Sequence, residues 1–142
     1  MVSRIDTPGP DDTTRHALIV VAEDSAEFRA LVATSLEKTG YRVEQVSTGD
    51  RLLFTVHRLV RDGDPPKLIV TDVRMPTLGG LDAAVTLRAA GHRTPFIFMT
   101  AWGDHLTRAR ARELDAVLLD KPLRISELRA EVQKLLGEGS VP

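Results

Sequence analysis

The sequence predicts an α/β fold: a three-layer α/β/α sandwich with helices on both faces of a five-stranded parallel sheet. Three observations predict it. Short apolar runs recur along the chain, and most are continuous rather than alternating. A strand that is apolar on both faces is buried on both faces, as in a parallel sheet covered by helices. Between these runs the apolar residues recur at helical spacing, and the two patterns alternate five times, as in repeated right-handed βαβ units.

The elements follow in order. Residues 1–15 are rich in Pro, Thr and Asp and lack periodicity, so a flexible N-terminal tail is expected. Residues 17–22 form the first apolar run and end on Glu23-Asp24. Ser25 is placed to cap a helix whose face carries Phe28, Leu31, Val32, Ser35 and Leu36, and Gly40 ends it. Residues 41–46 mix Arg42, Glu44 and Gln45 with apolar groups, which suits an edge strand. Leu52, Leu53, Val56, Leu59 and Val60 stripe a second helix, closed by Asp62-Gly63-Asp64-Pro65-Pro66. Apolar runs at 68–70, 96–99 and 116–119 are the remaining strands. Between them, 81–90 and 106–114 read as weaker helices rich in Ala and Arg. Ile125, Leu128, Val132, Leu135 and Leu136 stripe the last one. Residues 16–137 are thus expected to be one domain. Residues 138–142 form a short C-terminal tail, with no room for an output domain.

Bulk properties exclude several classes. A chain of 142 residues suits one domain. The net charge of −1 provides no strong field for nucleic acid or an acidic membrane, so neither is expected as a partner. There is no cysteine, hence no disulfide, thiolate nucleophile or cysteine-ligated metal, which fits a reducing, cytoplasmic setting. Arg4, Asp6, Pro8, Pro10, Asp11, Asp12 and Arg15 occupy the place of an apolar signal segment. No apolar run approaches the ~20 residues that span a bilayer.

In such a sheet, ligands bind at the carboxyl ends of the strands. The residues just after the runs are Glu23-Asp24, Asp72, Thr100 and Lys121. Clustered carboxylates repel unless a cation or proton relieves them. Oxygen-only ligands favour Mg²⁺ or a similar hard ion such as Mn²⁺. An amine and a hydroxyl can hold phosphoryl oxygens. Taken singly, each has a plainer reading: the acidic pair as a helix cap, Asp72 as a turn residue, Thr100 as a β former, Lys121-Pro122 as a turn. Their conjunction at one sheet edge is what points to chemistry.

Four segments, Val20-Val21-Ala22-Glu23-Asp24, Thr71-Asp72-Val73-Arg74-Met75-Pro76 with Gly80, Pro95-Phe96-Ile97-Phe98-Met99-Thr100-Ala101 and Leu119-Asp120-Lys121-Pro122, carry a resemblance. Over roughly residues 17–136 the chain resembles the receiver domain of bacterial two-component response regulators. The resemblance implies the flavodoxin-like strand order 2-1-3-4-5. It implies that Asp72 accepts a phosphoryl group from a histidine kinase or histidine phosphotransfer protein, and that a downstream protein target reads the result. Asp24, Asp72 and the backbone carbonyl of Arg74 would ligate Mg²⁺ (or Mn²⁺), with Glu23 acting in the outer shell or through water. Thr100 and Lys121 would hold the phosphoryl oxygens, and the bond before Pro122 is commonly cis in such proteins. The protein would not be an enzyme acting on others, although it would catalyse its own phosphorylation and dephosphorylation.

Three positions depart from the family pattern. Leu118 stands where many receivers have Tyr or Phe, so the usual aromatic readout is absent. Gly79-Gly80 replaces Asp-Gly, which weakens a cap and predicts a mobile loop. Arg74 and Trp102 lie two residues after Asp72 and Thr100, where they would shield an acyl phosphate or simply stay on the surface. Among the rest, His16, His57, His92 and His105 lack metal-ligand spacing and read as surface or cap residues. Arg108 and Arg112 share a helix face, either solvated or meeting an acidic partner.

The rival readings are weaker. A phosphorylation-independent pseudo-receiver that only binds protein is favoured by Leu118 and disfavoured by the complete Asp24, Asp72, Thr100, Lys121 set. An aspartyl-phosphate phosphatase wants a second Asp at 74, where Arg stands. A nucleotide or flavin binder wants a Gly-rich loop in place of Glu23-Asp24-Ser25. A DNA-binding regulator is disfavoured by the charge and by the lack of room for an output domain.

Overall fold

The computed structural model describes residues 16–137; both expected tails lie outside them. The strands are β1 (Leu18–Ala22), β2 (Arg42–Val46), β3 (Leu68–Asp72), β4 (Phe96–Thr100) and β5 (Val117–Asp120). Each is followed by a helix: α1 (Ala26–Lys38), α2 (Gly49–Arg61), α3 (Gly80–Ala89), α4 (His105–Glu113) and α5 (Ile125–Val132). α5 runs on into a wide π-type turn, Gln133–Gly137.

All five strands pair in parallel, in the order β2-β1-β3-β4-β5. The three inner strands are buried along their whole length. Because successive side chains point to opposite faces, one strand feeds two cores. In β1, Ile19 and Val21 pack with Val32 and Leu36 of α1 and Leu128 and Val132 of α5. Val20 and Ala22 point the other way, toward Leu52 and Val56 of α2, Leu87 of α3 and Ala111 of α4. Burying each large apolar side chain stabilises the fold by about 1.5–3 kcal/mol relative to leaving it exposed.

The outer strands behave differently. β2 is the mixed edge strand that its sequence predicts. The apolar run at 116–119 predicts a strand buried on both faces, whereas β5 is the opposite edge. Val117 and Leu118 are half-buried and Asp120 is exposed. With no strand beyond it among the described residues, an apolar run there is left partly open at its outer edge.

Local signals set the helix starts. Ser25, Thr48 and Asp104 each accept a bond from the backbone N–H three residues on, at 3.3, 3.1 and 2.8 Å. The chain turns back at the amino ends of the strands through Gly40, Gly63 and Gly91, all at positive φ. The carboxyl ends share the other edge, where β3, β4 and β5 stop on Asp72, Thr100 and Asp120 and Glu23-Asp24 directly follows β1.

Candidate functional site

Four strand ends build the site. β1 stops at Glu23-Asp24, and the acids are held differently. Glu23 is 1% exposed. Its Oε2 accepts the Ser25 N–H at 3.0 Å and its Oε1 accepts from Lys121 Nζ at 2.9 Å. Arg29 donates to the Glu23 carbonyl at 2.7 Å and fixes the turn. Asp24 is exposed. One carboxylate oxygen from each of Glu23, Asp24 and Asp72 lies within 4.8 Å of the other two.

Asp72 is the last residue of β3 and is buried, with a side chain 13% exposed. Its Oδ2 accepts from Lys121 Nζ at 3.0 Å, and its Oδ1 accepts the Arg74 N–H at 3.4 Å. Pairing of Asp72 with Met99 in the β3–β4 register brings Thr100 to the next step of the neighbouring strand. Thr100 is 1% exposed, and its Oγ1 accepts the Trp102 N–H at 2.9 Å. The Lys121 N–H donates to the Thr100 carbonyl at 2.7 Å, which aligns the β5 end with β4.

Lys121 bridges the two buried acids. Burial alone pulls its pKa down, but its bonds to Glu23 and Asp72 outweigh burial and leave the ammonium favoured. For Glu23, burial is the largest influence and holds the carboxyl above its ordinary range; the Ser25 N–H and Lys121 oppose this, while the negative charge of Asp72 adds to it. The amine thus serves as the local counter-charge. The Lys121-Pro122 peptide is cis.

The donor set fits a hard cation. Three carboxylates converge, one of them exposed, and no sulfur or imidazole is among them. Both oxygens of Glu23 are already engaged by protein hydrogens, which suits the outer role expected of it better than direct ligation. Asp24 and Asp72 remain the direct candidates, with the loop that begins at Arg74 beside them.

The structure adds what sequence spacing did not give. Phe28 packs half-buried on the core face that its spacing predicts, and it also lies beneath Lys121, with Nζ 5.0 Å from the ring centre. With Ser25, Ala101, Pro122 and Leu123 they line an open, mainly apolar groove of about 460 Å³. Gly79-Gly80 has a steric reason. A β-carbon at Gly80 would lie 2.1 Å from the Asp72 carbonyl oxygen, and one at Gly79 would lie 2.5 Å from that of Val73. Arg74 and Trp102 meet: the guanidinium lies 5.9 Å from the ring centre, and Trp102 is 63% exposed. Leu118 packs, half-buried, on the α2–α3–α4 side of the sheet. Arg108 and Arg112 are solvent-accessible, as one of the two expectations had it, and Arg108 in addition bonds Asp120 within the chain.

Comparison with known proteins agrees with this geometry. The family model for the response regulator receiver domain matches residues 19–133. The chain belongs to that family. It is 34% identical over 125 residues to the probable transcriptional regulator ycf27 of Cyanophora paradoxa, covering 87% of this chain and 50% of that protein. It is 33% identical over 119 residues to the transcriptional regulatory protein CpxR of Escherichia coli (strain K12), covering 83% and 48%. The receiver therefore spans about half the length of the curated relatives it matches. Those relatives are named as transcriptional regulators, so the expected absence of nucleic acid among the partners finds no support in them. Among solved structures, the receiver domain of the Francisella response regulator 1452 aligns with a TM-score of 0.76 and 25% identity, covering 88% of this chain and 100% of that one. CheY4 of Vibrio cholerae aligns at 0.74 and 22% identity, covering 85% and 99%, a likeness of fold. Among the described residues no helix is long and apolar enough to cross a membrane.

Proposed function

We propose that this receiver is a phospho-acceptor switch, modified on Asp72 by a histidine kinase or histidine phosphotransfer protein and read by a downstream protein. The single observation that supports it best is Lys121 Nζ held between Asp72 and Glu23 within a three-acid cluster. A half-buried amine beside a carboxylate nucleophile, within a cluster of acids whose oxygens suit a hard ion, is what phosphoryl transfer requires.

The chemistry follows from the residues. An Oδ of Asp72 attacks phosphorus, the P–N bond to the donor imidazole breaks, and the imidazole leaves and takes up a proton. The groove over Phe28, Ala101, Pro122 and Leu123 opens beside Lys121 and suits the apolar surround of an incoming imidazole. Asp24, Asp72 and the carbonyl of Arg74 would hold Mg²⁺ or Mn²⁺, which would neutralise charge on the transferred oxygens. Lys121 has three hydrogens. It can keep Glu23 and turn another toward a phosphoryl oxygen. Thr100 offers its hydroxyl from the next strand. Phospho-Asp72 then carries roughly −1.5 to −2 charges, by analogy with other phosphorylated side chains. Hydrolysis of this acyl phosphate by water resets the protein, so the receiver promotes its own modification and reversal without acting as an enzyme on other molecules. Trp102 over Arg74 supports a shield on one side of the site. The absence of cysteine, with no membrane-crossing helix among the described residues, supports action in the cytoplasm.

The test is phosphate incorporation from a small phosphodonor with Mg²⁺, in wild type and Asp72→Asn, with Trp102 fluorescence followed in parallel. Incorporation lost in the variant supports the switch. No incorporation in either, with metal bound, supports the second reading, a phosphorylation-independent binding module, which Leu118 in the aromatic position favours.

A further inference from the structure

Thr100 and Lys121 end neighbouring strands, and beyond them the chain diverges into the loop before α4 and the loop before α5. One side chain ties the two together. Arg108, on α4, donates through Nε to the Gly103 carbonyl at 2.9 Å and through Nη2 to both oxygens of Asp120, each at 2.8 Å. Asp120 is the register partner of Thr100 and directly precedes Lys121. Gly103 is packed into this arrangement. A β-carbon there would lie 2.4 Å from Asp120 Oδ1 and 2.7 Å from Arg108 Nη2. Between Thr100 and Gly103 the loop is held again, because the Thr100 hydroxyl accepts the Trp102 N–H and the Asp104 N–H donates to the Trp102 carbonyl at 3.0 Å.

We propose that Arg108 is a positioning residue that clamps the loop after Thr100 to Asp120 and so holds the resting arrangement of the site. The proposal rests on the phospho-acceptor reading above. Any movement of Thr100 toward a group on Asp72 would carry the loop that it holds through the Trp102 N–H, and that displacement would pull on Gly103. The clamp resists the pull, because a contact made in one arrangement only biases the equilibrium toward it. The fork geometry matters. One planar guanidinium reaches a carbonyl and a carboxylate at once, which a lysine ammonium on a flexible stem does not reproduce.

The test uses beryllofluoride with saturating Mg²⁺ as the probe, its bound form counted by fluorine NMR, on the full chain. Arg108→Gln and Asp120→Asn are expected to reach half-saturation at about twofold to fivefold lower concentration than wild type, the range open to a partly exposed pair. Arg108→Lys keeps the charge toward Asp120 and loses the Gly103 bond, so it falls between. Gly103→Ala forces the clamp apart from the other side and shifts the same way. A residue that merely supported the fold would lower Tm and leave half-saturation unchanged or raise it. Unchanged or weaker binding in all four variants, with wild type binding normally, overturns the clamp alone. Failure of wild type to bind beryllofluoride overturns the acceptor reading and the clamp with it.

Discussion

Lys121 Nζ lies 3.0 Å from Asp72 Oδ2, although the two residues are 49 positions apart in the chain. The same nitrogen reaches Glu23, which is 1% exposed. Replacing Lys121 by Met leaves a buried carboxylate without its counter-charge. The expected loss is about 1–3 kcal/mol, since the amine end of the pair is partly solvated. Mg²⁺ should restore more stability to Lys121→Met than to wild type, because in wild type the amine already neutralises the acids. Thermal melts over a Mg²⁺ series check this. Equal stabilisation of both proteins would contradict it.

Gly80→Ala places a methyl group against the Asp72 carbonyl oxygen and Thr71 Oγ1. The expected cost is about 1–3 kcal/mol of overpacking strain, with weaker Mg²⁺ binding because Asp72 shifts. Gly63→Ala is the control. It sits at φ 79° with nothing within 4 Å of the added carbon, so it should lose about 1–2 kcal/mol from backbone strain with Mg²⁺ affinity unchanged. Isothermal titration with Mg²⁺ separates the two.

Arg74 and Trp102 form a cation–π pair beside Asp72. Alanine at either position should shorten the half-life of phospho-Asp72 several-fold, since each removal opens one side to water. Decay of the acyl phosphate after donor removal is the measurement. An unchanged lifetime in the double variant would dismiss the shield.

Away from the site, Arg42 donates to both oxygens of Asp64, at 2.9 Å each. These bonds hold the Asp64 carboxyl below its ordinary value. Its contribution to stability is therefore complete above the unfolded value near pH 4 and disappears as pH falls through the lower folded value. Both partners are about half exposed, so the contribution is small. The Tm difference between wild type and Asp64→Asn should shrink as the pH drops below about 4. A difference that grows on acidification would refute it.

Much of this was legible in the sequence. Continuous apolar runs mark β1, β3 and β4 because strands covered on both faces have no polar side to display. Polar residues that end those runs mark the site, because parallel strands all finish at one edge. Strand order was legible only through family resemblance, since no local pattern encodes which strand lies beside which. β5 misleads because an edge strand can be apolar without being enclosed. The partners of Arg108 and Phe28 escaped for a different reason. Helical spacing gives the face of a side chain but not its partner across the fold: it puts Phe28 toward the core and Arg108 toward solvent, as found, without showing Lys121 over the ring or Asp120 beside the guanidinium. The glycine pair at 79–80 shows the same limit: composition suggests freedom, while backbone approach explains the residue type.

The loops at the amino ends of the strands lie across the full depth of the sheet from Asp72. At Gly63 and Gly91 an added β-carbon meets nothing within 4 Å. A fluorophore, affinity tag or sensor peptide inserted beside these glycines, with the glycines kept, would sit remote from the acidic cluster. The molecule thus offers an attachment pole at the opposite edge of the sheet from Asp72, suited to immobilising it for single-molecule observation.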